Sequence, residues 1–208
     1  KIIFLRGEIK DASNASLANA RIELKNLSTK IVTTIPVDTI NGTYAAVMTI
    51  KNNEDVLLTI KNPGSSFVSE IIHSNDSTIG KPQKLNLEVD SVKPGNTYKI
   101  NNINYKSNSA DLTAESKFIV EEFAVYLKDN PSINIEIHGH TDNAGAAASN
   151  LALSTDRAFT VYDVLQQFGI GKNRMSYKGF GGTKPIADNS SESGKAKNRR
   201  TEFVVLSK

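Results

Sequence analysis

An acid and a base on either side of a small-residue loop are the side chains of this 208-residue chain best suited to chemistry. Asp142 follows a predicted half-buried strand at residues 133–138 and precedes a loop of Gly and Ala residues. Arg157 lies about two turns into a helix predicted from about Asn150 to Phe168. Because a strand, loop and helix fold back on one another, we expect both side chains to face one crevice.

The spacing of Asp142 and Arg157 leaves two uses open. The two residues can form a structural salt bridge, which is common between a loop and a helix. Alternatively, they can stay apart and receive a zwitterion, with the aspartate binding an ammonium group and the arginine a carboxylate.

Strands alternate with helices after residue 100, which predicts an α+β domain with packed helices and a mixed sheet. Thr113 is suited to cap a helix that continues to Asp129, and Gly169 is a natural stop for the helix that carries Arg157. The other predicted elements are strands at Ile100–Tyr105, Met175–Phe180 and Glu202–Leu206, and a short basic helix at Lys195–Arg200.

Residues 1–90 contain short alternating or apolar segments about ten residues apart, with turn residues and no helical pattern between them. This predicts an all-β sandwich at 1–90, a linker at 91–99 and the α+β domain at 100–208. The predicted strands are Ile2–Ile9, Ala20–Leu24, Lys30–Ile35, Tyr44–Ile50, Val56–Ile60, Phe67–Ile72 and Leu85–Val89.

Composition excludes several classes of protein. The chain has no Cys, which excludes disulfides, thiol catalysis and Cys-ligated zinc. No apolar run approaches the roughly 20 residues that span a bilayer, so we expect no membrane span. The chain starts with strand-like residues and no Met, so we expect it to be a mature or excised piece of a longer protein.

The second domain resembles the OmpA-like C-terminal domain, the peptidoglycan-binding module of Gram-negative envelope proteins. The resemblance rests on Gly139-His140-Thr141-Asp142, Gly145, Asn150, Leu153-Ser154, Arg157-Ala158, Gly169-Ile170, Arg174, Gly179, Gly181, Pro185-Ile186, Asn189, Gly194 and Asn198-Arg199-Arg200. It implies noncovalent binding of the diaminopimelate in the peptidoglycan stem peptide, with no catalysis, cofactor or metal. The implied function is to anchor an outer-membrane-associated assembly to the cell wall.

The resemblance also implies roles for individual residues. Asp142 is expected to bind the ammonium group of diaminopimelate, and Arg157 its carboxylate. Further ligand-binding positions implied by the family are Asn108, Thr141, Asn150, Arg199 and Arg200. The sequence does not distinguish which of the last two arginines reaches the ligand.

The first domain resembles the carboxypeptidase-regulatory-like domain, a noncatalytic transthyretin-like sandwich. The similarity lies in residues 7–11, residues 17–24 and the turn Asn41-Gly42-Thr43-Tyr44. The tandem resembles the carboxy-terminal part of Bacteroidetes envelope proteins, some of which belong to the type IX secretion machinery. This implies a periplasmic chain, held at the outer membrane by the rest of its parent protein, with envelope or secretion-machinery proteins as further partners.

Other functions fit the residues less well. His138, His140 and Asp142 alternate along a strand end as metal ligands do, but no Cys or nearby Glu completes a catalytic set. The basic segment Lys195–Arg200 is short, lacks flanking aromatics and does not predict nucleic-acid binding. The alternative hypothesis is a structural envelope module whose cleft is degenerate and which binds other envelope proteins.

Overall fold

The computed structural model describes residues 1–11, 17, 19–106 and 109–208, and it divides into two compact units, Lys1–Val92 and Lys93–Lys208. The boundary between the units falls inside the predicted linker. None of the helices in the described ranges combines the length and the apolar character needed to cross a bilayer.

The described part of the first unit consists of two four-stranded sheets. Its strands are β1 (Ile2–Asp11), β2 (Arg21–Asn26), β3 (Val32–Pro36), β4 (Thr43–Thr49), β5 (Val56–Lys61), β6 (Ser69–Ile72), β7 (Pro82–Lys84) and β8 (Leu87–Val89). In one sheet, β1 pairs antiparallel with β4 and parallel with both β7 and β8. The other sheet is antiparallel throughout, in the order β3-β2-β5-β6.

Alternating side chains of both sheets form one core in the first unit. Ile3, Leu5 and Ile9 of β1 are buried, as the period of a strand requires. The Tyr44 hydroxyl donates a hydrogen bond of 2.6 Å to the Leu85 carbonyl, and burial raises the pKa of Tyr44 to about 12. The phenol therefore stays protonated and joins β4 to the segment before β8.

The second unit is an α+β domain with a mixed sheet and three helices, as the sequence predicts. Its elements are β9 (Thr97–Lys99), α1 (Ala114–Asp129), β10 (Asn134–Gly139), α2 (Ala147–Gln167), a 3₁₀ turn (Lys172–Arg174), β11 (Met175–Gly179), α3 (Glu192–Asn198) and β12 (Thr201–Ser207). The strand order is β11-β10-β12-β9, in which β10 runs parallel to β11 and antiparallel to β12.

Both ends of α1 are fixed by side chains. The prediction that Thr113 caps this helix is confirmed, because its hydroxyl accepts a hydrogen bond of 3.2 Å from the Ser116 amide. At the other end, Arg174 donates to the carbonyls of Leu127, Asn130 and Ile133 at 2.8–3.2 Å. These bonds satisfy carbonyls that the helix end leaves free and join α1 to the start of β10.

Helix α2 packs directly on the backbone of the sheet. A Cβ atom at Gly139 in β10 would overlap the Ser154 carbonyl oxygen, and one at Gly179 in β11 would overlap the Thr155 amide and hydroxyl. Gly169 ends the helix region with a φ of +87°, the left-handed conformation that favours glycine. The close packing fixes the position of Arg157 relative to the end of β10.

The predicted strand Ile100–Tyr105 is wrong. The strand that pairs with β12 is β9, inside the predicted linker, and the chain then turns through Asn102 with a φ of 59°. Ile100 and Ile103 are both buried, so the turn covers the two apolar residues that suggested a strand.

Candidate functional site

The loop between β10 and α2 is braced by the side chains that flank Asp142. The Thr141 amide donates to the Gly181 carbonyl at 3.0 Å, and the Thr141 hydroxyl donates to the Asp142 carbonyl at 2.8 Å. The Asn150 amide group reaches back from α2 and donates to the Ala144 carbonyl at 2.9 Å. The backbone of Asp142 is therefore held in place from both sides.

The Asp142 carboxylate is nearly buried, with 8% of the residue exposed, and it has two hydrogen-bond donors. Arg199 Nη1 donates to Oδ2 at 2.7 Å, and the Ala144 amide donates to Oδ1 at 2.9 Å. Burial raises the pKa of Asp142, but the bonds from Arg199 and Ala144 outweigh it and lower the pKa overall. Because a carboxylate accepts about four hydrogen bonds, this one retains acceptor capacity.

Arg157 is half-buried and lies on the aromatic face of Tyr105. Its Cζ atom is 4.8 Å from the centre of that ring, and its Nε donates to the Ser109 carbonyl at 3.2 Å. The Tyr105 hydroxyl contacts the Thr201 hydroxyl at 2.9 Å, which fixes the ring. Burial lowers the pKa of Arg157 from its usual value. Its two terminal nitrogens have no hydrogen-bond partner within the ranges that the structure describes.

Asp142 and Arg157 do not form the salt bridge that their spacing allows. Asp142 pairs with Arg199, while Arg157 borders a cavity of about 200 Å³. The cavity is lined by Ile103, Asn104, Tyr105, His140, Arg157, Ala196, Arg199 and Arg200. The charge of Asp142 still reaches Arg157 and partly opposes the effect of burial on the pKa of Arg157. The acid and the base thus remain separate.

Arg199 and Arg200 have different surroundings because α3 ends at Asn198, before both of them. Arg200 is buried, and its Nε and Nη2 donate to the two Glu202 oxygens at 2.6 and 3.3 Å. Burial raises the pKa of Glu202, but the His140 ring and the Arg200 guanidinium lower it by more. The pKa therefore falls from 4.5 to about 2. Arg200 is consequently matched by an ionised acid, whereas Arg199 lies at the surface.

Asn198 holds the loop before α3 through a completely buried amide group. Its Oδ1 accepts from the amides of Ile186 and Ala187 at 2.8 and 3.0 Å. Its Nδ2 donates to the Ala187 carbonyl and to Asn189 Oδ1, both at 2.9 Å. The first residue of the Asn-Arg-Arg motif is therefore structural, and it fixes the segment next to Arg199.

The two histidines near the loop have partners other than a shared metal ion. His138 Nε2 lies 2.7 Å from Glu136 Oε1, and His140 stacks on Phe180 with 5.3 Å between ring centres. His140 Nε2 is 3.1 Å from Glu202 Oε2. The ligand atoms of His138, His140 and Asp142 do not converge at metal spacing in the described structure.

The structure brings together most of the predicted site residues. Arg157, Arg199 and Arg200 line the cavity, and Asp142 is joined to it through Arg199. Thr141 and Asn150 brace the loop, and Asn108 lies outside the described residues. Sequence reasoning missed the acids Glu192 and Glu202. Arg200 directly precedes β12, and its i, i+2 spacing to Glu202, which puts both side chains on one side of an extended chain, could have revealed the second of these.

Residues 104–199 match the OmpA family. The peptidoglycan-associated lipoprotein of Legionella pneumophila is 31% identical over 150 residues, which cover 69% of this chain and 84% of that protein. The chain therefore belongs to the OmpA family.

Two further proteins illustrate the similarity. The peptidoglycan-binding protein ArfA of Mycobacterium tuberculosis is 37% identical over 103 residues, which cover 50% of this chain and 32% of that protein. The crystal structure of the peptidoglycan-associated lipoprotein from Burkholderia pseudomallei is 32% identical, with a TM-score of 0.46, over 50% of this chain and 87% of that one. The chain spans between about a quarter and a half of the length of the first curated relatives it matches.

Proposed function

We propose that the second unit binds peptidoglycan noncovalently by holding the diaminopimelate of the stem peptide between Asp142 and Arg157. The observation that carries this proposal is Arg157, a half-buried cation that makes no ion pair in the described chain and lines a cavity together with Arg199. The names of the Legionella and Mycobacterium relatives, peptidoglycan-associated and peptidoglycan-binding, support peptidoglycan as the polymer that is bound.

The chemistry of the two residues suits the free end of diaminopimelate, which carries an ammonium group and a carboxylate on one carbon. Asp142 stays ionised at neutral pH because its pKa is lowered, and it has acceptor capacity left for an ammonium group. The terminal nitrogens of Arg157 form a planar fork that matches a carboxylate. A cavity of about 200 Å³ admits such a small group rather than a drug-sized molecule. Binding requires no bond to form or break, so we propose no enzymatic activity.

The other predicted residues support the same site in different ways. Thr141 and Asn150 keep the loop in the conformation that presents Asp142. Arg199 is the better candidate of the two neighbouring arginines for ligand contact, because Arg200 is buried against Glu202. Contact between Asn108 and the ligand stays a prediction.

We expect weak binding at each site and strong binding to the polymer. A small zwitterion offers few atoms and both of its charges lose water, so a dissociation constant on the order of 1 μM to 1 mM is expected. Many stem peptides on one wall raise the effective affinity. In this proposal the chain lies in the periplasm and anchors an outer-membrane-associated assembly to the wall. The first unit, proposed to be a transthyretin-like sandwich, contacts other envelope proteins, such as components of type IX secretion machinery.

Isothermal titration with the tripeptide L-Ala-γ-D-Glu-meso-diaminopimelate tests the two central residues. We expect Asp142→Asn, Arg157→Gln and the double variant to lose similar amounts of affinity, because each single change leaves the other charge without its match. The control is Asp156→Asn, which makes the same charge change at an exposed position next to Arg157 and should bind like the wild type. Additive losses would contradict the joint role.

The ion pair between Asp142 and Arg199 is the observation that favours the alternative, a degenerate cleft closed by its own side chains. In that case the folded wild-type chain gives no heat with the tripeptide. The function would then lie in contacts with other envelope proteins.

A further inference from the structure

Arg199 bridges two acids at the edge of the cavity. Its Nη1 donates to Asp142 Oδ2 and its Nη2 donates to Glu192 Oε1, each at 2.7 Å. The two acids differ in environment, because the Asp142 side chain is 11% exposed and the Glu192 side chain is 75% exposed. Arg199 itself is 39% exposed at the side chain, so it has room to move while Asp142 does not.

The charges around the cavity are unevenly matched. Arg200 is neutralised by Glu202, and Asp142 is already matched by Arg199. Arg157 has no acid partner in the described chain, and the charge of Arg199 repels it. A carboxylate that enters the cavity therefore meets Arg157, which has no acid partner in the described chain. It also relieves the repulsion between Arg157 and Arg199. An ammonium group entering alone meets an aspartate that is already paired.

We propose that Arg199 is a specificity-determining residue that makes the site select an amino-carboxylate over a simple amine. An amine on its own shares the Asp142 carboxylate with Arg199 Nη1, so it adds a second cation beside an acid that is already paired. A group that carries a carboxylate beside the amine brings its own negative charge, which binds Arg157 and the neighbouring Arg199 and offsets the repulsion among the three cations. This inference rests on the proposed function, since it assigns the selectivity of the same cleft.

The test compares two tripeptides that differ by one carboxylate. L-Ala-γ-D-Glu-meso-diaminopimelate carries the amino-carboxylate, and L-Ala-γ-D-Glu-L-Lys carries the amine without that carboxylate. Both are titrated into the wild-type chain, Arg199→Gln and Arg199→Lys. We expect the wild type to prefer the diaminopimelate peptide and Arg199→Gln to reduce this preference about two- to fivefold, the upper range of an exposed charged pair. Arg199→Lys keeps a cation beside Asp142 and should restore part of the preference.

The matched control is Lys197→Gln, which removes one positive charge from an exposed position two residues away. It should leave the preference unchanged. Equal loss of affinity for both peptides in Arg199→Gln would overturn the inference, because a residue that merely orients Asp142 does not change the ratio. A wild-type chain that binds both peptides equally would overturn it as well. A folded wild-type chain that binds neither peptide would refute the proposed function itself.

Discussion

Replacing Glu202 by Gln tests the buried charge cluster that supports the cavity. Glu202 accepts two bonds from Arg200, and its side chain is 14% exposed. Its pKa is lowered from 4.5 to about 2, against the effect of burial, by His140 and Arg200. At about 1.4 kcal/mol per pKa unit, the ionised form stabilises the second unit by about 3 kcal/mol at pH 7. Glu202→Gln should lower the free energy of unfolding by about that amount.

The pH dependence of this loss has a defined sign. A carboxylate with a depressed folded-state pKa contributes fully above the unfolded-state value of 4.5, and the contribution disappears as the pH falls toward 2. The difference between wild type and Glu202→Gln should therefore shrink to roughly half by pH 3. Urea unfolding followed by two-dimensional NMR at pH 7 and pH 3 reads the second unit separately from the first.

The control is Glu192→Gln, which removes an acid that also binds an arginine but is exposed. We expect it to change the free energy of unfolding by less than about 1 kcal/mol, as for other surface pairs. A Glu202→Gln loss that is the same at both pH values would refute the assignment of the stabilisation to the ionised carboxylate. So would a loss as small as that of the control.

Two further substitutions test the frame of the site. Gly139→Ala should destabilise the second unit by about 1–3 kcal/mol, because its Cβ overlaps the Ser154 carbonyl and forces α2 away from β10; an unchanged urea midpoint would contradict this packing. Asn198→Ala should cost about 2–4 kcal/mol because the amides of Ile186 and Ala187 lose their acceptor. Hydrogen exchange of these two amides should accelerate, and unchanged protection would contradict the role given to Asn198.

Local signals in the sequence were sufficient to predict most helices and strands of the second unit. Thr113, with the apolar spacing behind it, predicted α1, and Gly169 predicted the end of the following helix. The apolar and polar pattern at residues 100–105 wrongly predicted a strand, because a turn buries Ile100 and Ile103 as well as a strand would. The short strand β7, Pro82–Lys84, has no apolar pattern that would predict it, because none of its side chains is buried. It joins the sheet through backbone pairing with β1.

The candidate site was predictable in its members but not in its pairing. The loop and the following helix predicted that Asp142 and Arg157 face one crevice; in the structure Arg157 lines the cavity, whereas Asp142 does not line it and is joined to it through Arg199. Whether Asp142 pairs with Arg157 or stays separate from it depended on Arg199, which lies 57 positions from Asp142 along the chain. Glu192 and Arg199 meet only because α3 begins at Glu192 and ends at Asn198. Whether the first unit is a transthyretin-like sandwich stays a prediction.

Co-sedimentation with purified diaminopimelate-type peptidoglycan sacculi tests the central claim most directly. The account predicts that the wild-type chain and the Asp156→Asn control pellet with the sacculi. It also predicts that Asp142→Asn and Arg157→Gln, shown by circular dichroism to be folded, remain in the supernatant. A wild-type chain that stays in the supernatant, or variants that pellet as well as it does, would contradict the account.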